Sequence, residues 1–322
     1  MSAEKLVLNL PVMDLLADCK NLLIAGMGGG FDVFCGLPIY LTLKQRGMNV
    51  HLANLSFSEI GYGKHAIRLT ESLVGVQAHE RSIMPYFPEL HLTRWFQETR
   101  EEELTIWCFA KTGARRLMAD YRLLIEHLDI DGILLIDGGV DSLMRGNEAQ
   151  AGTPVEDSLS LLAVRAQAQV PIRLLACLGL GAERDISHAQ VFENMAALSA
   201  SGGFLGSCSL VQQMEVYRAY EDAVTYVQTH SPADPSVINA SILSAVQGHY
   251  GNFHLSEKTK GSRLWISPLM PIYWFYTLEA VAARNMLLDH LADTDTFQEA
   301  MRAVLSARQS LRIRFSGAIP LP

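Results

Sequence analysis

Short apolar runs alternate with longer amphipathic stretches along most of this chain, which is the pattern of stacked strand–helix–strand units. Strands are predicted at Asn21–Gly26, Met48–Leu55, Leu104–Ala110, Gly132–Ile136 and Ile172–Leu178. Runs such as Ile133-Leu-Leu-Ile136 and Leu174-Leu-Ala-Cys-Leu178 are apolar at consecutive positions. Both faces of such strands must be covered, which predicts a mostly parallel sheet with helices on both faces. The expected class is therefore α/β, a Rossmann-like three-layer sandwich. Helices are predicted at Pro38–Arg46, Thr112–Leu128, Glu156–Gln169, Ile186–Ala200, Leu210–His230, Ser236–Gln247, Ile272–Leu291 and Thr296–Ser306. Pro38 falls in a first turn, Gly47 suits a C-terminal stop, and Ser236 suits an N-cap. Thr153-Pro-Val-Glu156 reads as a capping box. Ser56–Glu103 mixes glycine, proline, aromatics and charges, and is expected to form a lid, a hairpin or a subunit contact. Residues 1–322 read as one α/β domain, with a mostly helical final third from about 210 packed on it. Ser231-Pro-Ala-Asp-Pro235 is a turn, too short to be a domain linker.

Composition narrows the setting. The 322 residues are 49% hydrophobic and 19% charged, enough for a large core. Thirty-four acids against 26 Lys and Arg give a net charge of −8, which argues against a nucleic-acid partner. The five cysteines form no C-x-x-C pair and read as reduced thiols. There is no signal-peptide pattern at the start and no apolar run of the roughly 18–20 residues that span a bilayer. The expectation is a cytoplasmic protein whose partner is a small molecule and not a membrane; a homo-oligomer stays open.

The candidate chemistry lies in loops that leave the strands. Gly26-Met-Gly28-Gly29-Gly30-Phe-Asp32 follows one strand and precedes a helix, where glycine lets backbone amides approach an anion. Asp32 could be an N-cap or a site carboxylate. The spacing departs from the dinucleotide fingerprint: Phe31 stands at its third glycine, and the second strand ends at Asn54 instead of an acid. NAD is therefore not expected. Asp137-Gly138-Gly139-Val-Asp141-Ser142, with Arg145, Asn147 and Glu148 following, leaves another strand. Asp137, Asp141 and Glu148 are hard oxygen ligands that suit Mg²⁺, Mn²⁺ or Ca²⁺. In Gly152-Thr-Pro-Val-Glu156-Asp157 the cap leaves Asp157 unused, so it can join the other acids. Glu183 and Asp185 in the Gly179–Asp185 loop can do the same, and His188 just beyond could act as acid, base or ligand. Gln247-Gly-His249-Tyr250-Gly-Asn252-Phe-His254 lacks zinc spacing. It reads as a loop that brings His249, Tyr250 or Asn252 to a ligand.

Taken together, the Gly26–Val33, Asp137–Leu143, Arg145–Glu148, Gly152–Asp157 and Tyr250–Asn252 segments resemble the family catalogued as domain of unknown function 1152, from about residue 20 to about residue 290. The resemblance implies a Rossmann-like sheet and no activity. The residues themselves suggest a hydrolase or group transferase acting on a phosphorylated or nucleotide-like molecule. Gly28–Gly30 would hold an anion, Asp137, Asp141 and Glu148, with Asp157 as a further candidate, a divalent cation, and a nearby carboxylate or a histidine such as His188 would move protons. Gly138, Gly139, Ser142, Arg145 and Asn147 would complete the ligand contacts. The alternative is a non-catalytic metabolite sensor or complex subunit.

Overall fold

The computed structural model describes residues 10–315 and 317, apart from 63–65, 82, 83, 184, 231–234, 256–258 and 263. Arg184 and most of the Ser231–Pro235 turn thus lie outside the described residues. The described strands are β1 (Asn21–Gly26), β2 (Asn49–Leu55), β3 (Ile67–Arg68), β4 (Leu73–Val76), β5 (Ile106–Phe109), β6 (Gly132–Gly138), β7 (Ile172–Leu178), β8 (Phe204–Ser209) and β9 (Ile272–Thr277). They form one sheet in the order β3-β4-β5-β2-β1-β6-β7-β9-β8. The five central strands, β5 to β7 in that order, are parallel. The flanking pairings are antiparallel.

Alternate side chains of the central strands point to opposite faces. Leu23 and Ala25 of β1 join one hydrophobic core, while Leu22 and Ile24 join the other. The first core is closed by α4 (Ala114–Leu128), α5 (Pro154–Arg165), α6 (His188–Ala200), α9 (Leu278–Ala282), α10 (Leu288–Leu291) and α11 (Phe297–Ser310). The second is closed by α1 (Pro11–Leu16), α2 (Asp32–Gln45), α3 (Pro88–Arg100), α7 (Glu215–His230) and α8 (Val237–Val246). The molecule is thus a three-layer α/β sandwich, as the continuous apolar strands require.

The chain order fixes where a ligand can bind. From β1 the chain moves outward through β2 to β5, then returns to the other side of β1 as β6 and continues to β7. The connections on the two sides leave from opposite faces: α2 packs on one core and α5 on the other. A crevice therefore opens between the carboxyl ends of β1 and β6, where doubly wound sheets bind ligands.

Three expectations fail in instructive ways. The helix predicted for Ile272–Leu291 begins as β9, and the short α9 and α10 follow it. Its opening Ile-Tyr-Trp-Phe-Tyr-Thr is β-branched and aromatic, and pairing on both edges with β7 and β8 overrides the helical reading. α2 starts six residues earlier than predicted, so Pro38 lies inside the helix. The Thr153 capping box does not form, because Thr153 and Glu156 are both engaged elsewhere. The capping box at Thr296 and Glu299 does form, at the start of α11.

Candidate metal centre at the strand ends

A cavity of about 650 Å³ opens at this crevice. Asp32, Asp137, Asp141, Asp157 and Glu183 all line it, brought together from four segments of chain. Asp137 is part of β6, whose register aligns Ile136 with Gly26 of β1. Its Oδ2 accepts the Ser142 amide at 3.1 Å and the Ser142 hydroxyl at 2.5 Å. Asp141 opens a single 3-10 turn, Asp141–Leu143. Its Oδ2 accepts the Thr153 amide at 2.9 Å and the Thr153 hydroxyl at 3.1 Å. The hydroxyl expected to cap α5 thus fixes a site carboxylate. Asp157 enters from the first turn of α5. Glu183 follows β7, and its Oε2 accepts the Val140 amide at 2.6 Å.

Two amides of the glycine loop are already engaged within the chain. Gly28 and Gly29 donate their amides to Asp32 Oδ2, at 2.8 and 2.7 Å. The loop therefore cradles the chain's own carboxylate, and those two amides are already used. The Gly138 amide also reaches Asp32, so this residue ties the β1 loop to the β6 loop. A Cβ on Gly28 would fall 1.7 Å from Asp157 Oδ1, and one on Gly152 would fall 2.5 Å from Asp141 Oδ2. Only glycine lets these carboxylates come so close to the backbone.

One oxygen each from Asp137, Asp141 and Asp157 lies within 4.8 Å of the other two. Two oxygens bound to one Mg²⁺ or Ca²⁺ at about 2.1–2.5 Å are at most about 4–5 Å apart, so the triad has the span of a shared cation. Asp157 Oδ2 is buried and accepts no hydrogen bond, although the residue is only 4% exposed. Its carboxylate meets that of Asp141, acid against acid. Burial, followed by repulsion from Asp141, drives the carboxyls of Asp137, Asp157 and Glu183 well above the usual range. Asp32 rises to about 7, mainly by burial, against the lowering effect of its backbone donors. No lysine or arginine lines the cavity among the described residues.

Glu148 does not join this group; the third acid beside Asp137 and Asp141 is Asp157. The Glu148 side chain turns away and accepts the amides of Arg145 and Gly146, the Asn194 amide group at 3.0 Å and Arg314 at 3.0 Å. Burial alone would raise this carboxyl, but Asn194, the backbone amide of Arg145 and Arg314 hold it below its usual value. Asn147 bonds to Arg312 and Arg314, and Arg145 reaches Met286, so neither faces the cavity. These residues anchor the segment around Arg314: its amide donates to Asn147 O at 2.8 Å.

Gly28, Gly29, Gly30 and Gly138 line the cavity, whereas Ser142 and Gly139 support it from behind through Asp137 and Glu183. His188 begins α6 away from the cavity, with its Nε2 buried and unpartnered. Asp185 is also outside; its carbonyl accepts the Gly152 amide. His249 stacks on Phe253, the 70%-exposed Tyr250 meets Trp265 edge-on, and Asn252 pairs with His254. None of the three lines the cavity. Phe57, Tyr86 and the segment Pro235–Asn239 at the head of α8 also line the cavity, although no sequence pattern marks them as site residues. Ser236 does cap that helix, accepting the Asn239 amide at 3.1 Å. The cap could have flagged a helix terminus, but nothing local says that it faces the acids.

A family model described as a protein of unknown function (DUF1152) matches residues 64–310. The chain belongs to this family. The match covers Asp137, Asp141, Asp157 and Glu183, while the Gly26–Asp32 loop precedes it. No curated protein and no solved structure matches the chain. Among the described residues, no helix is long and apolar enough to cross a membrane.

Proposed function

We propose that this chain is a small-molecule enzyme, a hydrolase or group transferase for a phosphorylated or nucleotide-like substrate, that works with a divalent cation on Asp137, Asp141 and Asp157. The observation that carries the reading is the unpartnered Asp157 Oδ2, buried beside two further carboxylates in an open cavity. Buried charges of one sign are costly unless a counter-charge or protons lie between them. A hard divalent cation meets that need with oxygen ligands alone. When bound, such a cation polarises a phosphoryl oxygen and makes a coordinated water more acidic.

The chain's own groups supply the rest. The Ser142 and Thr153 donors fix Asp137 and Asp141 through one oxygen each, which holds the triad in place before a ligand arrives. Glu183, anchored by the Val140 amide, is the group to take a proton from an attacking water in its ionised form, which a bound cation would favour against the effect of burial. The first turn of α8 faces the same cavity, and its positive end favours an anionic substrate group.

The test is phosphate release from a panel of phosphate monoesters and nucleotides, with Mg²⁺ or Mn²⁺ and with EDTA. Turnover should need the cation and disappear in Asp137→Asn and Asp141→Asn while the far-UV spectrum stays unchanged. Turnover that survives EDTA would exclude the cation. Binding without turnover would make the chain a sensor.

A further inference from the structure

We infer that the substrate carries a flat ring that stacks against Phe57 at the mouth of the cavity, with a single phosphoryl group directed to the acids; a nucleoside monophosphate has this form. The inference rests on the cation reading above and extends it from reaction class to substrate class.

Phe57 is the first observation. It is 41% exposed, yet it lines the cavity. Lys111 holds its ring by a cation–π contact, with Nζ 3.2 Å from the centroid, and Glu156 fixes that ammonium at 3.1 Å. An exposed aromatic side chain with one side already braced is a preformed stacking platform. Phe31 and Tyr86 extend the aromatic lining, meeting edge-on with centroids 5.9 Å apart. The acids form the opposite character: polar, buried and in need of a cation. A molecule that satisfies both has an apolar flat part and a cation-binding part.

The limit to one phosphoryl group comes from the donors. Polyphosphate sites wrap the chain of phosphates in glycine-loop amides. Here the Gly28 and Gly29 amides are spent on Asp32. Beside the shared cation, an anion meets the head of α8, which has ten residues and faces the unpartnered Asp157 across the same cavity. That set matches one phosphoryl group, bridged between cation and helix terminus. The volume of about 650 Å³ admits a ligand of nucleotide size.

The experiment is calorimetric titration of the full chain, saturated with Mn²⁺, against purine and pyrimidine nucleoside 5′-monophosphates, the matching triphosphates as Mn²⁺ complexes, and ribose 5-phosphate. At least one nucleoside monophosphate should bind ten-fold or more tighter than its triphosphate and than ribose 5-phosphate. Phe57→Ala should weaken that monophosphate five-fold or more, in line with the loss of one stacked base, and leave Mn²⁺ affinity unchanged. Triphosphates binding as tightly, ribose 5-phosphate binding as tightly, or no monophosphate binding at all would each overturn the inference while the cation reading stands. Failure of Mn²⁺ itself to bind would overturn the reading beneath it.

Discussion

Without a cation, the acidic cavity should make this protein less stable as pH rises, the reverse of the usual behaviour of carboxylates. A carboxyl raised on folding keeps its proton in the folded state while the unfolded chain ionises. Below the unfolded value both states are protonated and there is no penalty. Between the two values the penalty grows, and above the folded value it is constant. For Asp32 the window runs from 3.8 to about 7. That is about three pH units, and at about 1.36 kcal/mol per unit the penalty reaches about 4 kcal/mol by pH 7. Asp137, Asp157 and Glu183 are displaced in the same direction and add to it. Urea unfolding in EDTA between pH 5 and pH 8 should therefore show stability falling by several kcal/mol. Asp32→Asn keeps an oxygen to accept the Gly28 and Gly29 amides but cannot ionise. It should flatten part of the curve and raise stability at pH 8 by up to about 4 kcal/mol, less whatever the site relaxes. Stability that is flat or rising over that range in EDTA, or a variant that is weaker at pH 8, would mean that these carboxyls are not raised on folding.

Other outcomes follow from the same geometry. Gly28→Ala places a methyl group where Asp157 Oδ1 now lies; it should cut Mn²⁺ affinity ten-fold or more by calorimetry. Arg314→Ala should cost about 2 kcal/mol in urea unfolding, below the range for a fully buried pair because Glu148 keeps Asn194 and two amides, and should leave Mn²⁺ affinity unchanged. Thr153→Val removes one of the two donors to Asp141; a loss of about 1 kcal/mol, with weakened cation binding, is expected. His249→Ala, outside the cavity, should alter neither measurement.

Much of the frame could be read from composition along the chain, and the reason is physical. β1 and β7 match their predicted bounds to the residue, because an apolar run closed by glycine or a turn has few other uses in a buried parallel sheet. Asp137 and Asp141 could be recognised because they sit on a short glycine loop at a strand end. Glu148, only seven residues after Asp141, looked equivalent, but distance along a loop does not say which side a carboxylate faces. Its partner Arg314 comes from the far end of the chain. Phe57 and the head of α8 reach the cavity only through tertiary packing, and no local pattern marks them. β9 fails for the same reason: its identity depends on the two strands beside it, which the segment itself does not encode.

Whether Asp137, Asp141 and Asp157 share one cation can be seen in the anomalous signal of a crystal grown or soaked with Mn²⁺. A peak within bonding distance of oxygens of all three aspartates, lost in Asp157→Asn, is expected. A cavity without such a peak in crystals that carry Mn²⁺ elsewhere, or a peak held by Glu148 instead, would contradict a shared cation.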